Sequence, residues 1–244
     1  MRIFRAMAVF AVIALPISLL AIAAPASASP DQTTGTVKGV ITNAATGKPL
    51  AGICVNVVEV SDNTTVGTSD PSNSSGHWKL KGVDPASDYT ATSVDCQAAG
   101  YVSQWYDDQD FQNDATQFAV TAGATTKGIN FSLSEGGDIS GTVTDSNTGD
   151  PIQGVLVVAL WTTNDSASTY AVCSKASGKY KLTAVPTSGA IVWFDTGTDA
   201  CGVSTPYSDE YYLNSPTYGS ATPVTVTAGK TTKNIDQSLT PSDS

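Results

Sequence analysis

Gly39-Val-Ile-Thr-Asn-Ala-Ala-Thr-Gly47-Lys-Pro49-Leu-Ala-Gly52 returns 102 residues later as Gly141-Thr-Val-Thr-Asp-Ser-Asn-Thr-Gly149-Asp-Pro151-Ile-Gln-Gly154. The same offset lays Gly76-His-Trp78-Lys-Leu80 on Gly178-Lys-Tyr180-Lys-Leu182. Towards the ends the offset widens to 106, where Val120-Thr-Ala-Gly-Ala-Thr-Thr-Lys-Gly-Ile-Asn-Phe-Ser-Leu133 meets Val226-Thr-Ala-Gly-Lys-Thr-Thr-Lys-Asn-Ile-Asp-Gln-Ser-Leu239, a drift that small loop insertions explain. The chain is therefore read as a duplicated unit of about 100 residues, spanning 34–134 and 137–240, with Ser134-Glu-Gly-Gly137 as the joint.

Inside each unit the apolar residues recur with a period of two between turn residues. Val37, Gly39 and Ile41 share one face of a first strand, as do Ile139, Gly141 and Val143; the closing strands alternate through Ile129, Phe131, Leu133 and through Ile235, Gln237, Leu239. Thr46-Gly-Lys-Pro49 and Thr148-Gly-Asp-Pro151 are turns, in which Gly supplies a positive φ and Pro fixes the exit. About seven short strands per unit, each with one buried face, close into a two-sheet sandwich.

Composition agrees. Of 244 residues, 41% are hydrophobic and only 14% charged, too apolar for a disordered chain, and the bias towards Thr, Ser, Val, Gly and Asp favours strand and turn over helix. A formal charge of −10 repels nucleic-acid backbones and anionic lipid, so neither is expected as a partner. Residues 1–28 read as a secretory leader: Arg2 and Arg5, an apolar run from Ala6, Pro16 within it, and Ala26-Ser27-Ala28 before the expected cleavage point. Its removal leaves 216 residues in which 10 lysines face 22 acids, a charge of −12. The tail after Leu239 has neither a stop-transfer segment nor an LPxTG-type sorting signal, so a secreted, soluble extracellular monomer is expected.

The string G-x-V/I-T-D/N-x-x-T-G-x-P-L/I-x-G, then G-x-Y/W-x-L and a closing VTAG-x-TT-x-x-I-x-x-x-L, resembles the carboxypeptidase regulatory-like modules. These are transthyretin-like (prealbumin-like) sandwiches related to Cna protein B-type domains and to the starch-binding-like superfamily. The resemblance covers nearly all of residues 34–240, in two copies. It implies an all-β chain of two tandem seven-stranded Greek-key sandwiches, transthyretin-like or Ig-like in type. It also implies a non-catalytic role, since such modules space domains, pack beside secreted enzymes or help bind surfaces and carbohydrate. Similar tandem units of secreted actinobacterial proteins accompany polysaccharide-degrading enzymes such as alpha-amylase. A catalytic barrel of ~250 residues has no room beside the two units.

Four cysteines in an exported chain allow three disulfide pairings. Cys54–Cys96 and Cys173–Cys201 are expected, because each closes a loop within one unit; on the chain-entropy model each contributes roughly 3 kcal/mol. A zinc site would need four ligands at local spacing, which these cysteines and one histidine do not supply. No metal or other cofactor is expected.

His77, the one imidazole, falls on the outward side of the strand that buries Trp78 and Leu80, so a nucleophile–histidine site has no support. Paired carboxylates are the remaining enzyme chemistry: Asp107, Asp108 and Asp110 follow Trp105-Tyr106, and Asp209-Glu210 precede Tyr211-Tyr212. Neighbouring acids on a loop read as a solvated rim, or as weak Ca²⁺ ligands without the spacing of an EF-hand. A Lys38–Asn130 isopeptide of the Cna B kind is not expected: both residues alternate with core positions and face outward, and Ser140 and Asp236 replace them in the second unit. No catalytic residue is assigned; a glycosidase is retained only through the resemblance to modules that accompany such enzymes.

The aromatics carry the binding signal. Trp78 and Tyr180 fill the repeated G-x-aromatic-x-L slot and belong to the core. Trp105-Tyr106 and Tyr211-Tyr212 recur beside acids and amides, and since adjacent strand residues face opposite ways, one ring of each pair can pack while the other lies open to a sugar face. Two readings follow: a secreted non-catalytic structural or interaction protein, and a carbohydrate-binding accessory protein for starch-like glycans with Trp105, Tyr106, Tyr211 and Tyr212 as platforms. The expected partner is an extracellular polysaccharide or a cell-surface protein.

Overall fold

The computed structural model describes residues 33–161, 170–187, 189–197, 201–202 and 205–242. The expected leader, 1–28, lies outside them. Regular structure here is strand, with single 3₁₀ turns at Gln112–Asp114 and Tyr218–Ser220.

Sandwich 1 is built from β1 (Gly35–Asn43), β2 (Cys54–Glu59), β3 (Thr64–Thr68), β4 (His77–Val83), β5 (Ala86–Val94), β6 (Phe118–Val120), β7 (Thr125–Thr126) and β8 (Phe131–Leu133). One sheet runs β4-β1-β7, with β8 also on β1; the other runs β3-β2-β5-β6. Since β7 and β8 lie parallel along successive parts of β1, they act as one interrupted strand, which makes seven in all. The chain changes sheet between β1 and β2, β3 and β4, β4 and β5, and β6 and β7, so sequence neighbours close opposite layers.

Sandwich 2 repeats this plan in β9 (Gly137–Asp145), β10 (Leu156–Trp161), β11 (Tyr170–Cys173), β12 (Lys179–Val185), β13 (Ala190–Asp195), β14 (Glu210–Tyr211), β15 (Thr231–Thr232) and β16 (Gln237–Leu239). Its sheets are β12-β9-β15, with β16 also on β9, and β11-β10-β13-β14. The chain is an all-β pair of sandwiches, and their two apolar cores share no residue. The expected faces are the buried ones: Val37, Ile41, Ile139 and Val143 are fully enclosed, and Ile129, Phe131, Leu133, Ile235, Gln237 and Leu239 are all under a tenth exposed.

The repeated glycine–aromatic motif has a definite mechanical use. Gly39 is the cross-strand partner of Trp78, and Gly141 of Tyr180. A Cβ at Gly39 would lie 1.8 Å from the Ile129 carbonyl oxygen and 2.8 Å from the Trp78 ring nitrogen; at Gly141 it would lie 2.0 Å from the Ile235 oxygen. Only glycine lets the ring cross beneath the strand. The indole N–H of Trp78 then donates to Ile129 O (3.0 Å), and the Tyr180 hydroxyl to Ile235 O (2.5 Å). These carbonyls lie where the last strand is interrupted, so the ring satisfies an acceptor the ladder leaves open. On the other side of the gap Asn130 Oδ1 accepts from Val40 N (2.9 Å) and Asp236 Oδ1 from Thr142 N (2.8 Å), side chains standing in for missing ladder bonds.

The Ser134–Gly137 joint is hydrogen-bonded rather than loose. Val102 N donates to Ser134 O, Gly136 N to Gly100 O and Gly229 N to Gly136 O. A Cβ on Gly136 would come within 2.5 Å of the Ala184 backbone.

Candidate functional site

Both disulfides join cysteines within one sandwich, Cys54 to Cys96 and Cys173 to Cys201, each with Cα atoms 5.7 Å apart. They tie the start of β2 to the segment after β5, and the end of β11 to the segment after β13.

Each aromatic pair is split by strand alternation. Trp105 bridges Thr92, an outward residue of β5, while the Tyr106 ring packs inward, edge-on to Phe118 (centroids 5.9 Å) and Phe131 (6.3 Å). Burial pushes the Tyr106 hydroxyl pKa up, with the Asp107 charge adding to it. Tyr212 packs against the second core in the same manner. Tyr106 and Tyr212 are thus partly buried, with their rings against the cores. Trp105 and Tyr211 remain on the outer faces, half-buried.

The two outer faces differ. Beside Trp105 the sheet presents Thr92, Asn56 and Thr68, the last two hydrogen-bonded to each other at 2.7 Å. Beside Tyr211 it presents Trp193, its cross-strand partner, with the rings stacked at 6.3 Å and 24°. Tyr218 meets Tyr211 edge-on at 6.3 Å and is 41% exposed, and Leu213, 60% exposed, crowns the adjoining loop. Sequence reading passed over Trp193 and Tyr218. The signal for Trp193 was present in Ile191-Val-Trp-Phe194, since Phe194 is in the core and its neighbour must face out.

The acidic segments form tight loops rather than a cleft. Trp105 and Gln109 close a hairpin whose tip, Asp107 and Asp108, has φ of 68° and 59°; Tyr211 and Ser215 close the counterpart over Leu213 (64°) and Asn214 (55°). Asp107 accepts from the Thr116 hydroxyl at 2.7 Å. Asp209 accepts from the Thr196 N–H and hydroxyl, both at 2.8 Å. Glu210 accepts from Gln237 Nε2 (2.6 Å) and Thr240 N (3.1 Å). Asp209 and Glu210 thus hold backbone N–H groups and Asp107 a side-chain hydroxyl, and among the described residues no three His, Cys, Asp or Glu side chains converge as a metal site.

Lys38, His77 and Asn130 all stand on the exposed face of the β4-β1-β7 sheet. The Asn130 side-chain oxygen accepts the ladder bond from Val40 N on a solvent-exposed face.

The described residues form two disulfide-stapled β-sandwiches, with Trp105 on the outer face of one and Trp193, Tyr211 and Tyr218 on the outer face of the other. No protein-family model matches the chain, and no curated protein matches it. Solved structures similar to it include the Bacillus anthracis TIE protein (13% identity, TM-score 0.33, covering 86% of this chain and 34% of that one). A streptococcal ancillary pilin is similar at 13% identity and TM-score 0.32, over 88% of this chain and 64% of that one. The shaft pilin SpaA from Lactobacillus rhamnosus GG is similar at 12% and 0.33, over 87% and 99%. The chain thus spans about a third of the first of these proteins and just under two thirds of the second.

Proposed function

We propose that the chain is an extracellular, non-catalytic structural and interaction protein made of two carboxypeptidase regulatory-like modules, 34–134 and 137–240. The observation that carries this reading is the use made of the repeated residues: in both copies they close turns, fill the core or complete broken ladders. Of the five candidate carboxylates for sugar hydrolysis, Asp107, Asp108, Asp110, Asp209 and Glu210, three (Asp107, Asp209 and Glu210) are tied to structural donors. Two disulfides fit an oxidising compartment, and no helix among the described residues is long and apolar enough to cross a membrane. The test is reducing-sugar release from soluble starch, cellulose, chitin and polygalacturonate by the purified protein. No release is expected; release abolished by Glu210→Gln would overturn the reading.

Carbohydrate binding has a specific observation in its favour, the stacked Trp193–Tyr211 pair with exposed Tyr218 on sandwich 2. Rings presented flat on a sheet suit the apolar face of a neutral sugar. Retention on insoluble starch, cellulose or chitin should then fall about tenfold in Trp193→Ala, the loss of ~1.4 kcal/mol. It should be nearly unchanged in Trp105→Ala, whose neighbours are not aromatic. Equal losses in the two variants would count against this placement.

A further inference from the structure

The net acidity of the molecule conceals a cationic groove on sandwich 1. Four of the five lysines between residues 34 and 134 stand on or beside one sheet face: Lys38 on β1, Lys79 and Lys81 on β4, and Lys127 after β7. Lys38, Lys79 and Lys127 line a groove of about 530 Å³ together with His77. Lys38 and Lys79 are direct cross-strand partners. Like charges in that position repel and weaken the sheet. Among the described residues none of these three lysines has an ion-pair partner, the nearby acid being Asp70 on the rim.

Sandwich 2 is an internal control. Ser140 stands in place of Lys38, opposite Lys181. Lys181, in place of Lys79, is paired with Asp138 at 2.8 Å. Asp236 replaces Asn130, and the corresponding depression is about 210 Å³. Sandwich 2 thus pairs the one lysine at this cross-strand position, whereas sandwich 1 sets Lys38 against Lys79; Lys179 and Lys233 line the sandwich 2 depression beside Asp236.

The polar groups beside the lysines show what they suit. Asn73 Oδ1 is occupied by the N–H groups of Ser75 and His77, and Asn130 Oδ1 by Val40 N, so both amides turn their NH₂ donors outward. The groove therefore offers three ammonium groups and two amide donors against one carboxylate acceptor. Trp78 beneath it is only 3% exposed, so its indole is not available for stacking, which disfavours a neutral sugar. The lysines stand across the face of the sheet, on central β1, on outer β4 and after β7, so an acidic peptide added as a strand along the β4 edge would not reach Lys38 or Lys127. We propose that this groove on sandwich 1 binds an extended anionic glycan of the uronic-acid type, its carboxylates on Lys38, Lys79 and Lys127 and its hydroxyls on Asn73, Asn130 and Asp70.

The experiment is calorimetric titration of the whole exported chain with oligogalacturonate and, as neutral control, maltohexaose, at roughly 0.02 M and 0.2 M salt, where screening lengths differ about threefold. The expected result is binding of oligogalacturonate alone, weakened about tenfold or more at the higher salt. Lys38→Ser, which installs the residue of sandwich 2, should weaken it about fivefold or more without lowering the melting temperature, since it relieves repulsion; Lys179→Gln on sandwich 2 should leave it unchanged. The proposal is overturned by no binding at low salt, by binding that survives Lys38→Ser combined with Lys79→Ser, or by tighter binding of polyglutamate than of oligogalacturonate. The groove lies on sandwich 1 and shares no residue with the Trp193 face of sandwich 2, so its failure leaves the proposed function standing. Hydrolysis of the bound oligogalacturonate would break the non-catalytic reading while keeping the site.

Discussion

The two sandwiches share a sheet plan and the repeated turns but distribute their core volume differently. In sandwich 1 the aromatic mass gathers at Tyr89, Tyr106, Phe118 and Phe131 around Trp78, with Tyr89 and Phe118 as cross-strand partners. In sandwich 2 Ala190 and Val224 occupy the partner positions of Tyr89 and Phe118, and a buried Gln237 replaces Phe131. The lost volume returns on the neighbouring strand. Phe194 fills the place that Ser93 holds in sandwich 1, each paired with the equivalent valine of the second strand, and lies edge-on to Tyr180 at 5.8 Å. A core tolerates such exchanges when total volume and patterning are kept. What the frame requires in both copies is narrower: a bare glycine, a ring that crosses beneath it, and a side-chain acceptor across the gap.

The sharpest way to break this comparison is to impose one copy's residue on the other. Phe131→Gln should destabilise sandwich 1 by ~4 kcal/mol or more, because it removes a buried ring that touches Trp78 and Tyr106 and leaves an amide without partners. In sandwich 2 the same amide is served by Glu210 Oε2 at 2.6 Å and Asn214 Oδ1 at 2.5 Å. Amide hydrogen exchange followed separately over residues 35–133 and 137–239 reads each stability. A loss under about 1 kcal/mol would mean that the site recruits water or partners the structure does not show.

The reverse exchange should cost less. Gln237→Leu keeps an apolar side chain of similar volume in the sandwich 2 core but strips Glu210 of a close donor, leaving it only the Thr240 N–H. An acceptor left short in a half-buried place costs ~1–3 kcal/mol, partly offset by the apolar gain. Urea unfolding with an unchanged slope and a lower midpoint is the expected result. A midpoint that rises would show that the Gln237–Glu210–Asn214 cluster is retained for something other than stability.

The repeat, the sheet architecture, the cysteine pairing and the alternation that splits Trp105 from Tyr106 were all legible in the letters, because each is set by local periodicity or by short loop closure. Two features were not. The Trp193–Tyr211–Tyr218 cluster depends on β14 pairing with β13 across a long irregular segment, and no local pattern specifies that register. The cationic groove joins Lys38, Lys79 and Lys127 from three separate segments, whereas composition reports only their sum with the acids. Net charge describes long-range repulsion, and a sheet face a few residues wide can oppose it locally. Gln237 was legible as a core position but not as a hydrogen-bonded one, since Glu210 lies 27 residues away.

The smallest expected difference appears in alkali. Trp78 cannot ionise, but Tyr180 in the equivalent slot can; burial raises its pKa strongly, with the Asp236 charge adding to it. Burial likewise pushes Tyr170, at the edge of the same core, up to about 12. In the unfolded chain both hydroxyls ionise near 10. Their contribution to stability is therefore complete below about pH 10 and is lost as the pH rises towards 12, because the unfolded state releases protons that the folded state retains. Sandwich 1 has raised tyrosines too, Tyr89 and Tyr106, but neither is buried as deeply at its hydroxyl. Hydrogen-exchange protection should thus decline first over residues 137–239 between about pH 10 and 12. Tyr180→Phe should flatten that decline while costing about 1 kcal/mol at neutral pH for the lost bond to Ile235 O. Parallel decline in both halves, or a slope indifferent to Tyr180→Phe, would show that the phenol and the indole are equivalent plugs for the same gap.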